Sequence, residues 1–479
     1  MGDIRVSSSV GGFALMALYA VPLLVCGCGP GPFQWQGGTV RTQSSGGPVD
    51  SENEDNLLRR FPTPTGSIQT FTASGEIDTK SAFFTSFGTN GRRCDSCHQA
   101  SDAWTITPPH VRERFDSSAG LDPLFRKNDG ANSPEIDDST VAARRRGYSM
   151  LLTKAVIRVG IGIPDNAEFE LVDVDDPYHF ASSRELSLFR RPLPSTNLKF
   201  LATVMWDGRE TFHDQSIDFD LLDQSNGATR GHAQAVADLT PQQQREIVDF
   251  EMALFTATVE DDEAGGLDES SAEGGPRFVE PERFYIGIND VLGGDPTGRP
   301  FDPHVFTIFE AWSNLRHGSH RQARSAVARG EELFNTRSIH IRGVKGLNDD
   351  LQIEDLVGTC TTCHDSPNSG NHSVSLPIDI GLADESRRTP DLPLYTLQNR
   401  TTGELIRTTD PGRALVTGRW RDISKFKGPI LRGLSARAPY FHNGFAEDLL
   451  AVVDFYDSRF DIQLTSSEKS DLVAFLQAL

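Results

Sequence analysis

The chain has 479 residues, 37% of them hydrophobic and 24% charged, with a formal net charge of −21. At about 150 residues per domain, that length suggests two or three domains with enough apolar material to build cores. The acidity argues against a nucleic-acid or anionic-membrane surface, and mildly for cationic partners such as basic electron carriers.

Taken in chain order, Arg5 precedes an apolar run from Val10 to Val25 that ends in Cys26-Gly27-Cys28. The run suits the core of a signal peptide better than a membrane span. Val25-Cys26-Gly27-Cys28 looks like a bacterial lipobox with Cys28 as the lipidated residue. Residues 1–28 therefore read as a signal peptide, and the mature protein as an exported, periplasmic lipoprotein anchored to a membrane. Plain cleavage and release is the alternative. Residues 29–73, rich in Gly, Ser, Pro and Thr, read as a disordered tether. Residues 260–282 mix acid, Gly and Ser and read as an acidic linker between an N-terminal domain, 74–259, and a C-terminal domain, 283–479.

The two halves share a closing helix. Leu239–Leu254 (LTPQQQREIVDFEMAL) and Leu464–Leu479 (LTSSEKSDLVAFLQAL) lie 225 residues apart. Each begins at a threonine suited to cap a helix. Pro241 takes the first helical position of one copy, and Thr465 with Glu468 makes a capping box in the other. Leu472, Phe475, Leu476 and Leu479 fall on one helical stripe, matched by Ile247, Phe250, Glu251 and Leu254. No sustained period-2 alternation lies between these landmarks. The expectation is a mostly α protein of two tandem domains with long irregular loops.

Four cysteines remain after the signal region, in two pairs each followed by histidine: Cys94-Asp95-Ser96-Cys97-His98 and Cys360-Thr361-Thr362-Cys363-His364. Both match the attachment signature of c-type haem. Two thiols one turn apart meet the porphyrin vinyl groups, and the next histidine ligates iron. A zinc site would need ligands the chain does not group, and a redox dithiol would not come twice with histidine attached. Two covalently bound c-type haems are expected, one per domain, with His98 and His364 as iron ligands. No methionine follows the second motif. Its sixth ligand is therefore sought among His317, His320, His340, His372, His442, Tyr395, Tyr440 and Tyr456.

The C-terminal run Phe426-Lys427-Gly428-Pro429-Ile430-Leu431-Arg432-Gly433-Leu434, followed by Ala438-Pro439-Tyr440-Phe441-His442-Asn443-Gly444, resembles the bacterial di-haem cytochrome c peroxidases and their MauG-type relatives. Trp206-Asp207-Gly208-Arg209 resembles the inter-haem tryptophan motif of that family, and the resemblance runs from about Phe83 to the C terminus. It implies that Trp206 relays electrons between the haems and that His442 contacts a propionate. The family's ligand position, fourteen residues after that histidine, falls on Tyr456, and MauG-type members have tyrosine there. At the first haem, His110 is the nearest candidate for a displaceable sixth ligand. Gln224–Gln234 lacks the family's distal glutamate and offers His232 as an acid–base group instead. The resemblance also implies a calcium ion held partly by carbonyls near Arg437 and Pro439.

The implied activity is reduction of hydrogen peroxide at the first haem with electrons from the second, which a small cytochrome c or cupredoxin-like donor replenishes. A MauG-like variant would oxidise a protein substrate instead. The rival is a non-catalytic electron-transfer cytochrome with two closed haems.

Overall fold

In this computed structural model, which describes residues 56–212 and 215–479, short helices and short strands are interspersed along the chain. The signal region and the tether up to residue 55 lie outside the described residues. The rest of the tether is folded. Phe61–Thr63 (β1) and Gly66–Phe71 (β2) form a hairpin, extended by β6 (Phe255–Asp261) and β7 (Gly265–Gly266) into an antiparallel sheet of order β1-β2-β6-β7. Ile157–Ile161 (β3) pairs with Leu186–Arg190 (β5). Phe169–Asp175 (β4) pairs with β10 (Leu394–Asn399), which carries β11 (Leu405–Thr408) on its other edge. Ile339–Arg342 (β8) pairs with Asp355–Gly358 (β9).

The helices of the first half are α1 (Pro108–Ser118), α2 (Val141–Gly147), α3 (Ser149–Lys154), α4 (Ile217–Gly231) and α5 (Pro241–Met252). The remainder are α6 (Pro276–Val279), α7 (Arg321–Thr336), α8 (Asn348–Leu351), α9 (Ala414–Thr417), α10 (Leu449–Phe460) and α11 (Ser466–Ala478). Helix accounts for 32% and strand for 16%, so the expected mostly α class is corrected to a mixed one. The strands escaped the pattern reading because they are short, and β5 is moreover covered on both faces. All five residues of β5 are buried, and a strand with two covered faces shows no alternation.

The acidic stretch 260–282 is also packed rather than loose. Ala264, Leu267 and Ala272 are buried in one core cluster with Trp312 and Val327. Backbone oxygens hold it in place: Arg324 Nε donates to Ala264 O at 2.8 Å, and Trp312 Nε1 donates to Glu269 O at 3.0 Å. Its polar composition hid these anchors, which lie on partners more than forty residues away.

The repeated helices form where their caps place them. Thr465 Oγ1 accepts from the Glu468 amide at 3.2 Å while Glu468 Oε2 accepts from the Thr465 amide at 2.8 Å. Thr240 and Gln243 make the same reciprocal pair at the start of α5. The two helices pack alike. Phe250 lies 4.5 Å from Phe83 between ring centroids, and Phe475 lies 5.6 Å from Phe334 and 5.3 Å from Phe306. Phe475 is fully buried at this aromatic junction. Phe475→Ala is expected to cost about 3–5 kcal/mol, read as a lower midpoint in chemical unfolding.

Candidate functional site

Each Cys-x-x-Cys-His motif folds as a single tight turn. The His98 amide donates to Cys94 O at 3.1 Å, and the His364 amide donates to Cys360 O at 3.2 Å. The second variable residue fastens each turn from inside: Ser96 Oγ accepts from the Arg93 amide and Thr362 Oγ1 from the Thr359 amide, both at 3.0 Å. The four cysteines are unpaired. Burial pushes their thiols up, to about 12 for Cys360 and Cys363, which keeps them protonated at neutral pH.

The two histidines are oriented in the same way. His98 Nδ1 stands 3.0 Å from Trp104 O, and His364 Nδ1 stands 2.7 Å from Gly370 O. A carbonyl takes only a donated hydrogen, so each ring carries its proton on Nδ1 and leaves Nε2 as an electron-pair donor. Burial lowers both, His98 to about 4, and holds the rings neutral. Phe83 and Phe334 pack at 6.3 Å and 5.8 Å from the respective rings.

Each motif opens into its own cavity, with empty volumes of ≈ 1620 and ≈ 1570 Å³. The first is walled by Cys94, Cys97, His98, His232 and Glu251, the second by Cys360, Cys363, His364, His442 and Tyr456. Trp206 and Lys427 stand on the walls of both.

Buried cations without carboxylate partners distinguish these cavities from plain apolar holes. Lys427 Nζ donates only to Thr203 O at 2.8 Å, and burial pulls its pKa down to about 7. Arg191, on the first cavity, spends its donors on the carbonyls of Lys154, Ile106 and Arg437. Arg437 gives Nη2 to Ile430 O and leaves Nε unpartnered. Burial draws both arginines down to about 10. A cavity with two thiols, a neutral imidazole donor and uncompensated cations fits a large apolar macrocycle that carries metal and carboxylates. The residues thus fit a c-type haem in each cavity.

The wall between the cavities is built around Trp206. Its Nε1 donates to Arg191 O at 2.8 Å, and its ring meets that of His442 at 6.2 Å. His442 in turn stacks on Phe426 at 4.0 Å, and its buried Nε2 has no partner. Burial lowers His442 to about 4. Beside Trp206, Asp207 accepts from Arg190 Nη1 at 2.5 Å, and Arg190 holds Asp410 through Nε and Nη2 at 2.7 and 2.8 Å. Burial alone would raise Asp207, but Arg190 and Arg209 overturn it and bring the carboxyl to about 2.

Tyr456 projects from α10 into the second cavity with Cys360 and Cys363 packed in the same cluster. Burial, then the two neighbouring thiols, pushes its phenol well above the ordinary range. His232 caps α4 and reaches the first cavity, with Nδ1 2.5 Å from Asp129 Oδ2. Asp129 is also paired with the buried Arg92, and against its burial these partners hold it low. His110 is elsewhere. It stands half exposed on α1, bonded to Asp102 and off the wall of the first cavity, so its expected place as an iron ligand is not met. Of the carbonyls that the calcium expectation invokes, that of Arg437 accepts from the Arg191 guanidinium at 3.1 Å.

Comparison with known proteins follows the same direction. No family model matches the chain. A cytochrome-c peroxidase of Pseudomonas sp. (strain SCT), IdrP1, is 33% identical over 224 residues, 43% of this chain and 50% of that protein. A second, IdrP2 of Denitromonas iodatirespirans, is 33% identical over 132 residues, 26% of this chain and 36% of that protein. The chain is thus similar, over part of its length, to proteins named cytochrome-c peroxidase. It spans half the length of the first relative and about a third of the second. Among solved structures, a MauG-like protein associated with microbial copper homeostasis aligns over 90% of this chain and 95% of its own, at 14% identity and TM-score 0.36. Kuenenia stuttgartiensis hydrazine synthase aligns over 78% of this chain and 93% of its own, at 14% and 0.30. Scores that low say nothing of the fold.

Asp129 and Arg92 leave no pattern in the sequence, since no spacing links Asp129 to a histidine 103 residues away. Glu251 did leave a signal, a carboxyl on an otherwise apolar stripe. The fit of the cavities is checked by haem content. Replacing Cys94 and Cys97 by alanine is expected to lower covalently bound haem from two per chain to one, read by pyridine haemochrome and intact mass.

Proposed function

We propose that this chain is an exported di-haem c-type peroxidase. One haem would be held by Cys94, Cys97 and His98, and the other by Cys360, Cys363, His364 and Tyr456. The observation that carries this reading is Trp206, which stands on the wall of both cavities and links them through one side chain. Relatives named cytochrome-c peroxidase support hydrogen peroxide as the oxidant. When bound, haem supplies one-electron exchange and reductive cleavage of the peroxide O–O bond.

The protein's own part is proton handling, relay and recruitment. His232 Nε2 takes a proton from peroxide and returns it to the departing oxygen, while Nδ1–H donates to Asp129 and fixes the ring. Arg92 keeps Asp129 ionised for that task. Trp206 relays electrons from the second cavity to the first, and His442 with Lys427 would meet the propionates. Tyr456, a harder donor than a thioether, lowers the potential of the second site. Its position also favours a second reading, in which the oxidising equivalents are directed to a side chain of a protein substrate, as in MauG-type proteins. A small cytochrome c or cupredoxin-like donor, drawn by the net charge of −21, would supply two electrons per peroxide. Residues 1–28 would direct export to the periplasm, with a lipid anchor at Cys28.

His232→Ala is expected to lower peroxide turnover by about 10²–10⁴-fold with haem content unchanged. The ferric protein should show one high-spin haem by electron paramagnetic resonance and a spectral change on adding peroxide. Two low-spin haems inert to peroxide before and after reduction would establish the electron-transfer cytochrome instead. A low-spin signal that disappears in His232→Ala would make His232 an iron ligand rather than an acid–base group.

A further inference from the structure

The duplicated closing helices differ at one cavity-facing position. Along the offset of 225 residues, Ile247, Phe250 and Leu254 of α5 answer to Leu472, Phe475 and Leu479 of α11, whereas Glu251 answers to Leu476. Glu251 lies on the wall of the first cavity and Leu476 on that of the second. A carboxyl thus occupies a place that the repeat fills with a hydrocarbon.

The surroundings of that carboxyl are unusually bare. Glu251 is 6% exposed, and its Oε2 is buried with no hydrogen-bond partner. Ser195 is its polar neighbour, and no cation pairs with it among the described residues. Its closeness to the first attachment turn is shown by Cys94, whose thiol it pushes up more than any influence except burial itself. An uncompensated buried carboxylate is expensive, and such a group stays neutral unless a positive charge comes near. Burial accordingly raises Glu251 to about 7.

We propose that Glu251 is the redox-linked proton site of the first haem. Its carboxylate takes up one proton when that haem gains one electron from a one-electron donor, and the carboxyl releases the proton when the electron leaves. This rests on the reading that a haem is attached at Cys94 and Cys97. The physical reason is charge balance. An oxidised iron centre carries one more positive charge than a reduced one, and in a site of low dielectric constant that charge favours the ionised carboxyl. Electron gain removes it, and the neutral acid becomes the stable form. Uptake of one proton per electron makes the potential fall by about 59 mV per pH unit within the window between the two protonation constants. With Leu476 in the matching place, the second haem lacks this group.

Other groups near Glu251 must be separated from it. From the attachment turn come Cys94, a thioether once haem is bound, and Asp95; from the facing loop comes Ser195. Charged residues elsewhere on the cavity wall are the Arg92–Asp129–His232 set, Arg93, Arg190, Arg191, Arg209, Arg437 and Lys427. Lys427 is the competitor, because burial brings it to about 7 as well.

The test is a spectroelectrochemical titration of the full-length di-haem protein across the neutral pH range, comparing wild type, Glu251→Gln and Lys427→Met. Gln keeps the shape and the Ser195 contact while removing the proton. The expected result is a first-haem potential that falls with pH in wild type and in Lys427→Met, and that is flat in Glu251→Gln. The reciprocal Leu476→Glu variant should bring a pH-dependent slope to the second haem. A flat wild-type profile, or a slope that survives Glu251→Gln, would overturn the proposal. Loss of the slope in Lys427→Met alone would give the role to Lys427. Haem content measured on the same samples separates these outcomes from failure of attachment at Cys94 and Cys97, which would sink the broader reading instead.

Discussion

Between the two cavities, a guanidinium with 2% of its side chain exposed holds two buried carboxylates. Arg190 belongs to β5, Asp207 follows Trp206 directly, and Asp410 comes from the second half of the chain. One side chain therefore ties the strand scaffold, the shared tryptophan and the far half into a single wall. A buried ion set of this kind adds little net stability compared with hydrocarbon, because desolvation offsets attraction. What it contributes is geometry, since each carboxylate has one orientation in which it is satisfied. Trp206 cannot rotate away without breaking the Asp207 contact or its own bond to the Arg191 carbonyl.

Around that wall the chain repeats one module twice. A tight thiol turn, a histidine steered by a backbone carbonyl, a phenylalanine beside the ring and a capped closing helix occur in each half. The module sets where a metal-donating nitrogen points, and it does so without long-range design. Differences between the halves then fall on the open side of each cavity. There α4 brings His232 to one and α10 brings Tyr456 to the other.

Much of this was legible from the residues alone. Cys94, Cys97, Cys360, Cys363 and their histidines announced themselves because the chemistry needs them adjacent in the chain. Tyr456 and Trp206 were found through the motifs around them, and both reach the cavities. The strands were not legible, because short segments such as Leu186–Arg190 are covered on both sides and lose the alternation that marks a strand. The stretch 260–282 looked like a linker because its anchors are backbone carbonyls, which composition does not record. His110 is close to the first motif in sequence, but the fold turns it toward Asp102. The pairing of His232 with Asp129 and Arg92, and the burial of cations without carboxylate partners, arise only when distant segments meet, so no local pattern records them.

Lys427 faces both cavities yet has a single ammonium group. Any anion that settles beside it on one side uses a charge the other side would also draw on. Were anions to settle on both sides, the two chambers would share that charge without moving parts, and by reciprocity the effect of either occupant on the other would be equal. The two singly filled forms would then differ in how much of that one charge is left for the empty side.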